Sequence, residues 1–155
     1  MTQEDKELLL NDLCGRLPNG VIGRCEIDAS YDTSFDTIFQ IHKFNAEVYG
    51  IKEDLLLVTP LIEDNDEQTY AEEEVADGVA ILDFTPYLFP MSSMTDEEWE
   101  EYQKIRMIDW VHGDINGTFI NAGLIVDWLN AHHFDYRGLI EKGLAIDATG
   151  LNIYD

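Results

Sequence analysis

Residues 85–102, Thr-Pro-Tyr-Leu-Phe-Pro-Met-Ser-Ser-Met-Thr-Asp-Glu-Glu-Trp-Glu-Glu-Tyr, mark the point where the hydrophobic period of the chain changes. Upstream, apolar residues mostly alternate with polar ones, the two-residue period of a strand with one buried face. Downstream they return every three or four positions, as on a helix. Pro86 and Pro90 lack the N–H that a sheet ladder needs, so a strand is expected to end nearby. Thr95 then reads as a helix N-cap, with Glu98 three residues on completing a capping box. Met94 and Trp99 flank the cap as a hydrophobic staple, which predicts a buried Trp99. Asp96, Glu97 and Glu98 suit the positive end of the helix dipole. Trp99, Tyr102 and Ile105 share one arc of this helix, opposite Glu97, Glu100, Glu101 and Lys104.

The upstream half predicts a helix followed by short strands. Thr2 and Asp5 cap a first helix carrying Leu8, Leu9, Leu10 and Leu13, which Gly15, Pro18 and Gly20 end. Val21, Gly23, Cys25, Ile27 and Ala29 alternate with Arg24, Glu26 and Asp28 as a half-buried strand. Ser30 to Asp36 reads as a polar connection. Over Thr37 to Gly50 the phase set by Phe39 and Ile41 conflicts with that of Phe44, Ala46 and Val48. A β-bulge near His42 or Lys43 would reconcile them. Leu55 to Thr59, closed by Pro60, is the next strand. The run from Glu63 to Glu67 reads as a solvated loop, Tyr70 as the start of a strand, and Val79 to Phe84 as the last strand.

Beyond the central helix, Met107–Val111 and Thr118–Ile120 flank an Asn-Gly pair and predict a hairpin. Leu124, Ile125, Trp128 and Leu129 are spaced for a helix that ends near His132. Asp135 can cap a further short helix, with Gly143 at its left-handed C′ position and Leu144 closing a Schellman contact to Leu139. The expected architecture is α+β: an N-terminal helix, a curled antiparallel sheet or small SH3-like barrel, and a C-terminal helix/hairpin part. A chain of 155 residues suits a single domain, with 1–90 as its β-rich part and 91–155 as its helix-rich part.

Composition bears on function mainly through charge. The net charge is −23, and its distribution is uneven. Between Lys52 and Lys104 there is no basic residue, yet this interval holds 16 of the 32 carboxylates. Direct binding to nucleic acid is therefore disfavoured, and the concentrated acidity is compatible either with a basic protein partner or with plain solubility. The candidate partner surface comprises Glu63, Asp64, Asp66, Glu67, Glu72, Glu73, Glu74, Glu97, Glu100 and Glu101. No apolar run is long enough for a membrane span and the N-terminus lacks an apolar signal core, so a cytoplasmic protein is expected.

Catalytic constellations are missing. The phosphate-binding glycine loops, the nucleophile elbow and the zinc-protease helix motif are all absent. Asp64 and Asp66 begin a calcium-loop pattern that fails at Thr69 and Val75. His132 and His133 are adjacent and point about 100° apart on a helix, which suits dipole contacts better than a shared metal. His112 and Asp114 read as turn residues, and Asp28, Asp32 and Asp36 share no helix face. Arg137 and Lys142 read as partners of nearby acids. Cys14 and Cys25 are expected to be buried or half-buried free thiols. No catalytic, cofactor-binding or metal-ligating residue is assigned.

Two segments carry a resemblance. Pro86 to Tyr102 resembles a Pro-Tyr-Leu-Arg-Pro-Met-Ser-Ser-Met-Thr-Glu-Glu-Glu signature, with Phe89 in place of the arginine. Asp127 to Ala145, Asp-Trp-Leu-Asn-Ala-His-His-Phe-Asp-Tyr-Arg-Gly-Leu-Ile-Glu-Lys-Gly-Leu-Ala, resembles a matching C-terminal signature, and Leu8 to Pro18 echoes a leading helix. Both signatures belong to a family of small acidic proteins of gut bacteria, their phages and mobile elements. The resemblance implies a bacterial cytoplasmic setting and brings no activity with it. The expected function is a non-enzymatic interaction or adaptor protein. The alternatives are an acidic mimic of nucleic acid that inhibits a DNA-binding protein, and an enzyme of unrecognised type.

Overall fold

The computed structural model describes residues 1–28, 31–32, 37–38, 41–53, 55–62, 65–107 and 115–154. Helix α1 (Gln3–Arg16) starts at the expected capping box: Thr2 accepts from the Asp5 N–H, and Asp5 accepts from the Thr2 N–H. Leu9 and Leu13 of α1 are fully buried. A 3-10 turn at Leu17–Asn19 leads into β1 (Val21–Asp28), where Val21, Gly23 and Cys25 point inward as their alternation requires. Gly23 cannot be replaced without cost. A Cβ there would collide with the Phe84 ring and lie 2.7 Å from the Thr85 carbonyl oxygen.

Two short paired strands follow, β2 (Tyr31–Asp32) and β3 (Thr37–Ile38). Then comes β4 (Ile41–Lys52), antiparallel to β1 in unbroken register from Val21↔Val48 to Asp28↔Ile41. The bulge expected at His42 or Lys43 is not found. Ile41 is left exposed instead, which resolves the phase conflict without an inserted residue; Phe39 lies outside the described residues. The bulge falls further on, where β4 pairs with β5 (Leu55–Pro60). The register jumps from Val48↔Val58 to Gly50↔Leu57, leaving Tyr49 as the extra residue.

The acidic run is not all loop and Tyr70 opens no strand. Residues Asn65–Glu74 form helix α2, while Glu63 and Asp64 lie outside the described residues. The last expected strand is split into β6 (Val79–Ala80), a 3-10 turn at Ile81–Asp83 and β7 (Phe84–Pro90). Both prolines therefore lie inside β7. They interrupt little, because β1 pairs only with residues 84–86 and the other neighbours of β7 contribute two residues each. Helix α3 (Asp96–Met107) begins at the expected box, with Thr95 N–H donating to Glu98 Oε2 at 2.7 Å and Glu98 N–H to Thr95 Oγ1 at 3.2 Å.

The expected hairpin is overturned in its described half. Thr118–Ile120 belong to helix α4 (Ile115–Ala131), and Met107 closes α3; residues 108–114, with His112 and Asp114, lie outside the described residues. Two short strands follow, β8 (Phe134–Asp135) and β9 (Ile146–Asp147), both parallel to β7. Leu88 C=O accepts from Ala148 while Phe89 N–H donates to His133 C=O. A trans peptide points these groups in opposite directions, so β8 and β9 flank β7 on opposite edges. Asp135 caps turns rather than a helix, accepting from Leu139 and Ile140 N–H at 2.9 and 2.8 Å. Gly143 takes the left-handed conformation (φ 69°), and Leu144 N–H reaches Leu139 C=O as the Schellman reading requires.

The fold is α+β. The sheet runs β6-β5-β4-β1-β7-β8, stays open rather than closing into a barrel, and is mixed because β8 and β9 are parallel additions. Its core joins Leu9 and Leu13 of α1 to Cys25, Val48, Leu56 and Phe84 of the sheet region, with Leu139 and Leu144 from the C-terminal turns. No helix among the described residues is long and apolar enough to cross a membrane.

Candidate functional site

The candidate carboxylates do not form one described surface. Asp66, Glu67, Glu72, Glu73 and Glu74 lie on α2, which packs on β5, whereas Glu97, Glu100 and Glu101 lie on α3, which packs on α4. Glu67, Glu72, Glu73, Glu97, Glu100 and Glu101 are exposed. Lys104 approaches Glu100 at only 4.0 Å with both side chains in water, an ion pair of little energetic weight.

Aromatic contacts, rather than charges, organise the C-terminal part. Trp99 and Tyr102 of α3 lie 5.8 Å apart, and Tyr102 meets Trp128 of α4 at 5.9 Å. Trp128 stacks on His132 at 4.0 Å and on Phe134 of β8 at 5.7 Å. Phe134 faces Phe89 of β7 at 6.3 Å, and Phe89 faces Tyr154 at 6.0 Å. The two segments quoted above, 86–102 and 127–145, thus meet along one row of rings. The helix does pack through its aromatic side, but the staple does not bury Trp99. Its ring is 49% exposed, and no residue of α3 is fully buried. Met107 on α3 (63% exposed) and Leu124 on α4 (43%) are also uncovered, with Leu124 one turn before Trp128.

Behind this row lies a polar joint. Arg16 and Asp12 of α1 are both wholly buried, with Nε–Oδ2 at 2.6 Å. Arg16 also donates to Phe134 C=O at 2.8 Å, and Arg137 reaches Asp12 Oδ1 at 3.2 Å. Both guanidinium groups lie over the Tyr136 ring. Asn130 of α4 donates to Gly15 C=O, so polar contacts tie the end of α1 both to the end of α4 and to the segment after it. Arg16 Nη1, Asn130 Oδ1 and His133 Nδ1 find no partner among the described residues. The centre of this joint, Asp12 with Arg16, is wholly buried, and Arg137 closes it from the surface.

The two histidines have separate environments, as their adjacency implied. His132 Nδ1 contacts Trp128 C=O at 2.9 Å, at the carbonyl end of α4. His133 is buried with φ 56° and stacks on Tyr154 at 3.7 Å. Burial, with help from the Arg16 charge and then His132, pushes its pKa down to about 4. Burial pushes the Tyr154 hydroxyl up to about 12, while that hydroxyl donates to Tyr87 C=O at 2.7 Å. Cys25 is buried, and burial with the charge of Asp83 raises its thiol to about 12. Cys14 is exposed, contrary to expectation, because its position on α1 turns away from the core side of Leu9 and Leu13. Among the described residues no group of three or more His, Cys, Asp or Glu could hold a metal ion.

Sequence reasoning placed Trp99, Tyr102 and Trp128 on helices but did not pair them. Their signal was present in the repeated aromatic–apolar spacing, which identifies a face without naming its neighbour. Comparison with known protein families, with curated proteins and with solved structures finds no match.

Proposed function

We propose that this chain is a non-enzymatic interaction protein that docks a basic, amphipathic segment of a partner protein on the α3–α4 face. The observation that carries this reading is Trp99. A large ring sits at the end of an aromatic row, half uncovered, on a helix with five carboxylates and two bases. Rigid aromatic anchors with an apolar body are the residues that contribute most to interfaces. The exposed carboxylates Glu97, Glu100 and Glu101 lie on the other arc of the same helix, where their charge favours lysine and arginine on the partner and steers its approach. The test is a fluorescence titration with a helical peptide carrying leucine on one face and lysine on the other. Saturable binding is expected, weakened about tenfold by Trp99→Ser and also by added salt. Equal binding by wild type and Trp99→Ser would refute the α3–α4 face as the docking site.

A second reading, an acidic mimic that occupies the nucleic-acid site of a DNA-binding protein, draws on α2. Five carboxylates lie within its ten residues without a base. At a rise of about 1.5 Å per residue that is one charge per about 3 Å, comparable with about 3.4 Å along one DNA strand. Mimicry requires that duplex DNA displace the partner competitively and that α2 substitutions, not Trp99→Ser, weaken capture.

A further inference from the structure

We propose that the groove between β5 and α2 is a receptor notch for one lysine or arginine side chain of a partner protein. The groove has a volume of ≈ 260 Å³ and is lined by Tyr49, Val58, Pro60, Glu72, Val75 and Ala76. Three independent features build it. The first is the β-bulge. Tyr49 is the residue left unpaired between Val48 and Gly50; it is 65% exposed and lines the groove. Bulges re-aim a side chain out of the regular alternation.

The second is a clamp made by Gln68. Its side-chain oxygen accepts from Ile62 N–H at 3.1 Å, and its side-chain nitrogen donates to Pro60 C=O at 2.9 Å and to Glu72 Oε1 at 2.7 Å. One side chain thus fixes the end of β5, the start of α2 and a wall carboxylate relative to each other. Glu72 is held in place by a neutral donor, so its negative charge is not cancelled there. The third is local charge: the sequence has no base between Lys52 and Lys104, and Glu67 and Glu73 are exposed on the same helix.

These parts match a basic side chain. Val58, Pro60 and Val75 offer apolar wall to an aliphatic stem. Tyr49 offers a ring face to the cationic head, and Glu72 offers the counter-charge. The notch lies on elements separate from the α3–α4 face, so either site can fail its test without the other.

The experiment is an NMR titration of the full chain with N-acetyl-lysine amide and N-acetyl-arginine amide, against neutral N-acetyl-norleucine amide. Saturable shifts are expected at the amides of Tyr49, Val58, Glu72 and Ala76 with the basic probes and not with norleucine. Glu72→Gln, which keeps an acceptor for Gln68, is expected to weaken binding about tenfold, and Tyr49→Ala to do the same. Both positions are exposed, and an unchanged spectrum elsewhere confirms that the variants fold. Equal shifts with norleucine, no saturable shift, or unchanged binding in both variants would overturn the proposal.

Discussion

Tyr102 and Trp128 face each other at 5.9 Å, and this contact is where α3 is held to α4. Trp99 continues the row outward and is half exposed, while Trp128 continues it inward to Phe134. The two tryptophans should therefore answer truncation differently. Trp128→Ala is expected to lower stability by about 3 kcal/mol, and Trp99→Ala by about 1 kcal/mol. Thr95→Ala, which removes the cap of α3, should cost about 1 kcal/mol. Denaturant titrations measure all three, and a larger loss for Trp99→Ala than for Trp128→Ala would contradict this order.

Asp12 serves two guanidinium groups at once, Arg16 and Arg137. Removing it leaves Arg16 buried without its counter-charge. Asp12→Ala is expected to destabilise by about 3–5 kcal/mol, far beyond an exposed helical ion pair. A loss below about 1 kcal/mol in chemical unfolding would show that the joint is not maintained in solution.

His133 sets a pH dependence whose sign follows from its depressed pKa. The ordinary value is 6.5 and the folded value about 4, so between these the unfolded chain binds more protons. Stability should therefore fall as pH drops from 6.5 toward 4, with a slope of at most about 1.4 kcal/mol per pH unit from this one group. Asparagine tolerates the positive φ and does not titrate, so His133→Asn should flatten that slope. An unchanged slope in the variant, read from unfolding midpoints against pH, would assign the dependence to other groups.

The two thiols should separate cleanly. Cys14 is exposed, whereas Cys25 is buried with its thiolate disfavoured. A thiol reagent is expected to label one site quickly in the native protein and the second only on unfolding. Two fast thiols, or a fast Cys25 in a Cys14→Ser variant, would contradict the burial of β1.

The parts of the fold that were legible in the sequence rest on contacts between near neighbours. Thr2 with Asp5, Thr95 with Glu98 and Leu144 with Leu139 across Gly143 each close within a few residues, so residue type alone specifies them. Helix α2 was not legible, because its acid run carries no continuous apolar stripe. What anchors it is Gln68, whose partners Pro60 and Ile62 lie outside the helix. The start of α4 was misread for the opposite reason. Ile115, Thr118, Phe119 and Ile120 have strand propensity, and propensity is a weak prior that context overrides. At the site, the exposure of Glu97, Glu100 and Glu101 could be read from helical spacing, but the partner of Tyr102 could not. The Tyr49 bulge was mislocated because an exposed Ile41 imitates a change of phase.

The proposed docking of a partner on the α3–α4 face is tested by site-specific photo-crosslinking in native lysate, with a photoreactive residue at Trp99 and, as a control, at the exposed Gln3 of α1. A discrete protein is expected to crosslink from position 99, to be absent from position 3, and to be lost when the leucine–lysine helical peptide is added in excess. Crosslinks from position 3 alone, or the same products from both positions, would contradict it.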